Sequence, residues 1–271
     1  MYEVGRAGGY VSGQAWRRRL RGVLLAGAAV ALGAAAAGCL VLAAPAGPPV
    51  PRVLAAVLAV AAGAGCAFAC RRSARALRAA GRAAIGARSE REVRAAIRRT
   101  DPVAAGYGIV LGGRGGDCDA VVFTRWHGAA AIEVKTGHGK VTVDGDAMRV
   151  GRRVLHGNPA RQAADGARLL ARRLGGADVL AVVCVPGMTN RPFTASGVTV
   201  CGAQDLGRVL KAAPPVFGSA DQARAAMERL WRESAAAEAG AGARGPRVRA
   251  PADARRRRRP PAGRSGRRQG R

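Results

Sequence analysis

The chain is short of several residue types and motifs on which common catalytic and metal sites depend. Its 271 residues include three lysines, three histidines and six cysteines, without a Cys-x-x-Cys pair. This composition suggests neither a zinc site nor a disulfide framework, and it favours a reducing compartment. The Gly-rich stretch 112–117 lacks Gly-Lys-Ser/Thr, which excludes a P-loop. His127, His138 and His156 have no nucleophile at a recognisable spacing, so nothing supports acyl-transfer chemistry.

Acidic residues are also scarce, and the net charge of +28 is distributed unevenly. Residues 1–22, 71–99 and 241–271 carry +4, +8 and +11, whereas residues 100–240 are only mildly basic. The last of these segments predicts a disordered arm attracted to nucleic acid or anionic lipid. A coding-composition bias is the alternative explanation of its arginines. The distribution argues against a uniformly basic soluble domain.

Two stretches without internal charge lie between the first two basic segments. As helices, residues 22–44 and 53–70 would span about 34 Å and about 27 Å, against a hydrocarbon core of about 30 Å. Residues 45–52 form a short Pro/Gly-rich link, so the pair predicts a transmembrane helical hairpin. Arginines flank its two outer ends, so the positive-inside rule predicts that both termini lie in the cytoplasm. The membrane in which we expect the protein is the plasma membrane.

Two other interpretations of these stretches are open. The first stretch, together with "LAAPAG", also fits a cleaved signal peptide, which would invert the topology. Both stretches also fit buried Ala-rich helices of a soluble domain. Small residues such as Gly27, Gly33 and Gly63 would allow close helix approach, which makes pairing of two protomers a further possibility.

The sequence after residue 84 predicts an α/β domain with a mixed sheet. Helical and alternating patterns follow one another, and turn residues separate them. The predicted order is a helix at 85–99, strands at 106–112, 119–125 and 129–135, a hairpin at 140–150, a helix from Asn158-Pro159 and a strand at 177–186.

Composition divides the whole chain into six predicted segments. They are a basic N-terminus (1–21), the hairpin (22–70), a basic juxtamembrane linker (71–83), the α/β domain (84–213), a C-terminal helix (214–239) and a disordered tail (240–271).

Three charged residues in the α/β domain have a spacing that suggests chemistry. Glu133 and Lys135 are two apart on one predicted strand, so their side chains emerge on the same face, and Asp119 opens the preceding strand. Charges that end a buried strand are costly unless they are paired or bind something. Two carboxylates suit magnesium, and a lysine beside them could orient water or neutralise a phosphate. A simple Glu–Lys ion pair is the alternative, and Asp117 could replace Asp119 as the ligand.

Four blocks in order, "GARSEREVRAAI", "GDCDAVVF", "AAAIEVKTGHGKV" and "NPARQAADGARLLARRL", resemble the nuclease-related domain (NERD) family over residues 84–187. The resemblance implies a restriction-endonuclease-like PD-(D/E)XK core of order αβββαβ. It also implies the site residues, which are Glu90, Asp119, Glu133, Lys135 and Gln162, with Asp119 and Glu133 as metal ligands. The chain departs from the family pattern at Ala120, where histidine is common, and at Ser89, where glycine is usual.

The expected function is therefore that of a membrane-anchored, cytoplasm-facing nuclease that hydrolyses DNA or RNA with Mg²⁺ or Mn²⁺. The alternative is a non-catalytic membrane-tethered module of the same fold that binds nucleic acid or signals. A third hypothesis is an adaptor for a protein partner, in which the basic tail contacts lipid.

Overall fold

Two long apolar helices precede an α/β body in the computed structural model, which describes residues 1–5, 9–42, 49–112, 117–145 and 147–242. The predicted link 45–52 and the Gly-rich stretch lie partly outside these residues, and the basic tail lies almost wholly outside them. The helices are α1 (Gly9–Leu42), α2 (Pro49–Arg99), α3 (Pro159–Arg173), α4 (Leu206–Lys211) and α5 (Ala220–Gly242). The strands are β1 (Tyr2–Val4), β2 (Ala104–Val110), β3 (Asp117–Phe123), β4 (Ala129–Val134), β5 (His138–Gly139), β6 (Val141–Asp144), β7 (Ala147–Val150), β8 (Arg153–Val154), β9 (Leu180–Cys184), β10 (Gly187–Met188), β11 (Phe193–Ala195) and β12 (Val198–Cys201).

Helices α1 and α2 pack against each other closely, and small residues permit it. Ser73 donates a hydrogen bond from its hydroxyl to the carbonyl oxygen of Gly22, at 2.8 Å. A Cβ at Gly22 would lie 2.8 Å from the Leu77 side chain, so only glycine fits at this crossing without a shift. A Cβ at Gly33 would lie in ordinary contact with Cys66. Close approach through glycine and a buried serine bond is typical of helix pairs in membranes.

Both helices are long and apolar enough to cross a membrane, within Trp16–Cys39 and Val53–Arg99. Their large apolar side chains are not a buried core: Leu24 is 66% exposed, and Val30 and Val60 are each 73% exposed. A soluble domain does not leave such a continuous apolar surface in water. The structure therefore argues against buried helices of a soluble domain and is consistent with membrane association.

Helix α2 runs without interruption from the apolar segment into the body. The sequence analysis separated a linker at 71–83 from a helix at 85–99, whereas the structure has one helix of 51 residues. The intervening residues are almost all alanine and arginine, which are strong helix formers, and none is proline. The body is thus joined to the apolar helices by a continuous rod.

The body has a seven-stranded mixed sheet of order β1-β2-β3-β4-β9-β12-β11. Strands β1 and β2, β4 and β9, and β9 and β12 pair in parallel, and the remaining pairs are antiparallel. One face packs on residues of α3 and α5, and the other on residues of α2 and α4. The predicted α/β class and the mixed sheet are confirmed.

Local signals in the sequence also match the structure. Asn158 accepts a hydrogen bond from the Arg161 amide at 3.0 Å, which caps α3, and Pro159 follows in the first turn. Strands β6 and β7 form the predicted hairpin, and Gly145 in its turn has a φ of 55°. Glycine adopts this left-handed conformation without steric cost.

Strand β1 is a feature that the sequence analysis did not predict. Residues 2–4 pair in parallel with β2 at the edge of the sheet, so the N-terminus is joined to the body. Glu3 receives hydrogen bonds from Arg94 at 2.8 Å and Arg98 at 2.6 Å, both on α2. Burial alone would raise the pKa of Glu3, but the two arginines outweigh it and lower the pKa to about 2. This ion pair stabilises the protein above the ordinary pKa, and its contribution is lost as the pH falls toward 2.

We expect Glu3→Gln to release β1 while the rest of the sheet stays folded. The substitution removes the charge that pairs with Arg94 and Arg98, at a cost of about 1 to 3 kcal/mol. Hydrogen exchange of the full-length protein in detergent at pH 7 checks this, because the amides of residues 2–4 should exchange at least about tenfold faster. The exposed Glu92→Gln is the matched control. Unchanged protection in Glu3→Gln would contradict the role given to the ion pair.

Candidate active site at the end of strand β4

Strand β4 is the central strand on which the candidate site is built. It lies between β3 and β9, and its residues from Ala129 to Ile132 are fully buried. Alternate residues pack on the two faces of the sheet, so the strand is a continuous apolar run. Glu133 and Lys135 follow directly where this apolar run ends. The charged residues of this strand thus lie at one end of the sheet, where its strands terminate.

Asp119, on the neighbouring strand β3, lies at the same end of the sheet. The ladder between β3 and β4 ends at the pair Ala120 and Ile132. Beyond it, the Val134 amide donates a hydrogen bond at 2.7 Å to Oδ2 of Asp119, in place of a backbone acceptor. On its other side, β3 pairs with β2. There Gly108, which is opposite Asp119, has a left-handed φ of 64° and forms no ladder pair with it. The Asp119 carboxylate is therefore fixed against β4.

Glu133 and Lys135 form a short ion pair at this end of the sheet. The distance from Lys135 Nζ to Glu133 Oε1 is 2.6 Å, and the two side chains are only 22% and 12% exposed, respectively. Asp119, Glu133 and Lys135 are called the carboxylate–lysine cluster below. The structure brings together the three residues that the sequence singled out, in a place where water only partly screens their charges.

Burial makes both carboxylates of the cluster harder to ionise. Burial, helped by repulsion from Asp119 and Glu90, raises the pKa of Glu133 to about 7, although Lys135 opposes the shift. Burial also raises the pKa of Asp119, with a contribution from Asp117, against the Val134 hydrogen bond and Lys135. One lysine does not compensate two partly buried acids. The cluster is therefore short of positive charge.

The remaining predicted site residues differ in how they relate to this cluster. Glu90 lies on α2, on the body side of the apolar segment, near enough for its charge to act on Glu133. Asp117 starts β3 and is exposed, and its charge contributes to the raised pKa of Asp119. Gln162 is exposed on α3, where its side chain lies beside Gly157. Among the described residues, no hydrogen bond or ion pair connects Gln162 to the cluster.

A divalent cation fits the cluster only if it needs few protein ligands. In the part of the chain that the structure describes, three or more His, Cys, Asp or Glu residues nowhere form a group that could hold a metal. Magnesium commonly keeps several waters and takes one or two carboxylates. The donors of Asp119 and Glu133, together with the deficit of positive charge, suit such a cation.

Two contributors to the site were not predicted from the sequence. The Val134 amide holds Asp119, and the buried Cys118 thiol donates to the carbonyl oxygen of Ala120 at 3.1 Å. The thiol's pKa is raised by burial and by the Asp119 charge, so it remains protonated and unreactive. A backbone amide has no sequence signal, and nothing in the spacing of Cys118 indicated its direction.

Fold and site together define an α/β protein with a mixed sheet, a carboxylate–lysine cluster at the end of a central strand, and two long apolar helices at the N-terminus. No protein-family profile, curated protein or solved structure matches the chain. The likeness to the nuclease-related domain thus rests on the four sequence blocks alone.

We expect Glu133→Gln to stabilise the protein when no divalent cation is present. The neutral amide removes a buried charge that Asp119 repels, and its oxygen still accepts a hydrogen bond from Lys135. The melting temperature in EDTA at pH 8 should rise by about 2 to 4 °C, which corresponds to about 1 kcal/mol at this size. Glu92→Gln, an exposed change of the same kind, should leave it unchanged. A lower melting temperature in Glu133→Gln would show that the ion pair with Lys135 outweighs the repulsion.

Proposed function

We propose that this protein is a membrane-anchored, nuclease-like phosphodiester hydrolase that faces the cytoplasm and depends on Mg²⁺ or Mn²⁺. The observation that supports the proposal is that Asp119, Glu133 and Lys135 come together from two strands at a partly buried end of the sheet. An arrangement that costs stability in the absence of a ligand is typical of functional sites. The order of elements around it agrees with the restriction-endonuclease-like core that the resemblance implies.

Each residue of the cluster has a distinct task in this proposal. Asp119 and Glu133 would hold the cation, which supplies charge for the phosphate and lowers the pKa of a bound water. Lys135 orients the attacking water or neutralises a phosphate oxygen, because its ammonium lies beside Glu133 at the rim of the site. Val134 keeps Asp119 in place through its amide. Glu90 supports the site through its charge, and the exposed Gln162 is available to the substrate.

Exposed cations on the small sheet after β4 suit a nucleic-acid substrate. Strands β6, β7 and β8 form a three-stranded sheet that follows Lys135 in the chain. Lys140, Arg149, Arg152 and Arg153 are exposed on it or beside it. Lysines and arginines in such positions bind phosphates without reading sequence. They support a nucleic-acid partner without distinguishing DNA from RNA.

A second candidate function is a non-catalytic nucleic-acid-binding or signalling module of the same fold. The observation that favours it is the 2.6 Å ion pair, since Lys135 already satisfies one oxygen of Glu133. Together with the Val134 hydrogen bond, the cluster is partly closed by its own groups. In this case the cluster would hold β3 and β4 together without turnover.

Glu133→Ala and Lys135→Ala should each reduce cleavage of nucleic acid by about 100-fold or more, because each removes a group that acts on the reacting phosphate. The measurement is product formation by the full-length protein in detergent, from mixed DNA and RNA substrates, with and without Mg²⁺ or Mn²⁺. Asp117→Asn tests the alternative ligand and should retain most of the activity.

Circular dichroism and gel filtration show whether each variant is folded, and Glu92→Gln is the matched surface control. Metal-dependent cleavage that survives both the Glu133 and the Lys135 substitution would refute the assignment. Absence of product from the wild type with either metal, together with salt-sensitive binding of nucleic acid, would favour the non-catalytic module.

The proposed anchoring and orientation make a separate prediction. The full-length chain should stay in the membrane fraction after an alkaline carbonate wash, because the exposed apolar surface of α1 and α2 requires lipid. Protease added to intact spheroplasts should spare the body, and protease added to inverted vesicles should digest it. A mature protein whose mass shows loss of the first 44 residues or so would support the signal-peptide interpretation instead.

A further inference from the structure

A basic cleft lies at the opposite end of the sheet from the carboxylate–lysine cluster. It has a volume of about 320 Å³ and is formed by the end of α2, the turn between β3 and β4, and α4. Its defining residues are Arg99, Thr100, Arg125, Trp126 and Lys211. Specific ligand pockets commonly begin at about 300 Å³. The cleft is thus large enough for a small ligand or for part of a polymer.

The cations of this cleft carry charge that the structure does not neutralise. Arg99, Arg125 and Lys211 are exposed, and none of them pairs with a carboxylate in the described part of the chain. The nearby Arg208 is different, because it binds Asp205 at 3.0 Å. Three converging cations without counter-charges favour an anion, and guanidinium groups match the geometry of phosphate oxygens.

Trp126 adds a flat aromatic surface between these charges. The Arg125 guanidinium lies 4.7 Å from its ring centre, and the Lys211 ammonium lies 5.6 Å away. These cation–π contacts hold the two side chains near the indole but leave their positive charge available. A guanidinium and an aromatic ring side by side are also the groups on which nucleobases stack.

The turn that presents Arg125 and Trp126 is held rigidly. The Thr124 amide donates to the Gly128 carbonyl at 2.8 Å, and the Gly128 amide donates to the Thr124 hydroxyl at 3.0 Å. The His127 carbonyl accepts hydrogen bonds from the amides of Val216 and Phe217. A Cβ at Gly128 would lie 2.6 Å from the Ala213 carbonyl oxygen, so the turn sits directly on the segment after α4. Little backbone ordering entropy therefore remains to be lost in this turn when a ligand binds.

The position of the cleft separates it from both the cluster and the membrane. Gly128 directly precedes β4 and Glu133 is its next-to-last residue, so about 17 Å of extended chain lies between the two sites. Along α2, Arg99 is 29 residues beyond Cys70, which corresponds to about 43 Å of helix. A lipid headgroup next to the apolar segment does not reach that far, whereas a soluble ligand has free access.

We propose that this cleft binds the phosphate and base of a nucleotide, either free or within a nucleic-acid strand. Arg99, Arg125 and Lys211 bind the phosphate, and Trp126 contacts the base. The site is independent of the carboxylate–lysine cluster, so it serves binding rather than the proposed hydrolysis.

The test is binding by the full-length protein in phosphatidylcholine nanodiscs, in EDTA so that no metal-dependent cleavage occurs. The probes are ADP, inorganic pyrophosphate and a fluorescein-labelled single-stranded dT decamer. Arg125→Gln/Lys211→Gln should bind the decamer about tenfold more weakly, and the dependence of log affinity on log salt should fall by about 1.4. The matched control is Arg172→Gln/Arg229→Gln, which removes two exposed arginines of α3 and α5 on the other face of the sheet.

The base contact has its own readout. ADP should quench tryptophan fluorescence, and Trp126→Phe should abolish most of the quenching, while pyrophosphate should bind without it. ADP binding with decamer binding indicates a strand or nucleotide site; ADP binding alone restricts the site to free nucleotides.

Equal weakening of decamer binding by the cleft variant and the control variant would overturn the proposal. Binding to phosphatidylglycerol vesicles without binding to ADP or the decamer would also overturn it, in favour of a lipid surface. Because the assay is run without a divalent cation, its outcome does not depend on whether the cluster is catalytic.

Discussion

The continuous helix α2 is the constraint on which the rest of the structure depends. Its apolar half packs against α1, and its last turns form one wall of the body. Glu90, near the cluster, and Arg99, in the basic cleft, lie about 14 Å apart on this one rod. Arg94 and Arg98 lie between these two residues on α2, and both form ion pairs with Glu3, which fixes β1. A break in this helix before Glu90 would uncouple the body from the apolar half of α2.

The carboxylate–lysine cluster shows how a central strand can carry a candidate functional site at a cost in stability. The apolar run of β4 is stabilised on both faces of the sheet, which allows Glu133 to be held where water is scarce. Burial and the neighbouring Asp119 then oppose ionisation of Glu133, and Lys135 compensates only in part. Proteins commonly give up stability at sites where a ligand restores the balance of charge.

The sequence predicted the body well where signals are local. Two apolar runs joined by a short turn located β3 and β4, and the Asn158-Pro159 pair located the start of α3. It did not predict β1, because three residues show no periodicity and their anchor, Glu3, binds arginines 91 and 95 residues away. The boundary proposed at 71–83 has no counterpart, since positive charge by itself does not interrupt an Ala/Arg helix.

Of the candidate site, residue types and spacing sufficed for Asp119, Glu133 and Lys135, but not for what holds them. The hydrogen bond from Val134 to Asp119 exists because the ladder of β3 and β4 ends one pair earlier. The point at which the ladder ends is a property of the folded sheet. The basic cleft was likewise not predictable, because its residues come from three segments far apart in the sequence.

The mild net charge of the body conceals a strong internal separation of charge. In the described part of the chain, cations that no carboxylate neutralises gather at the cleft, whereas the end of β4 carries carboxylates with too little compensation. If the protein binds nucleic acid as proposed, the phosphate chain would be attracted to the end far from the apolar helices and repelled from the cluster, until a cation offsets Asp119 and Glu133. Binding and any chemistry would then respond to different conditions, the first to salt and the second to a divalent metal.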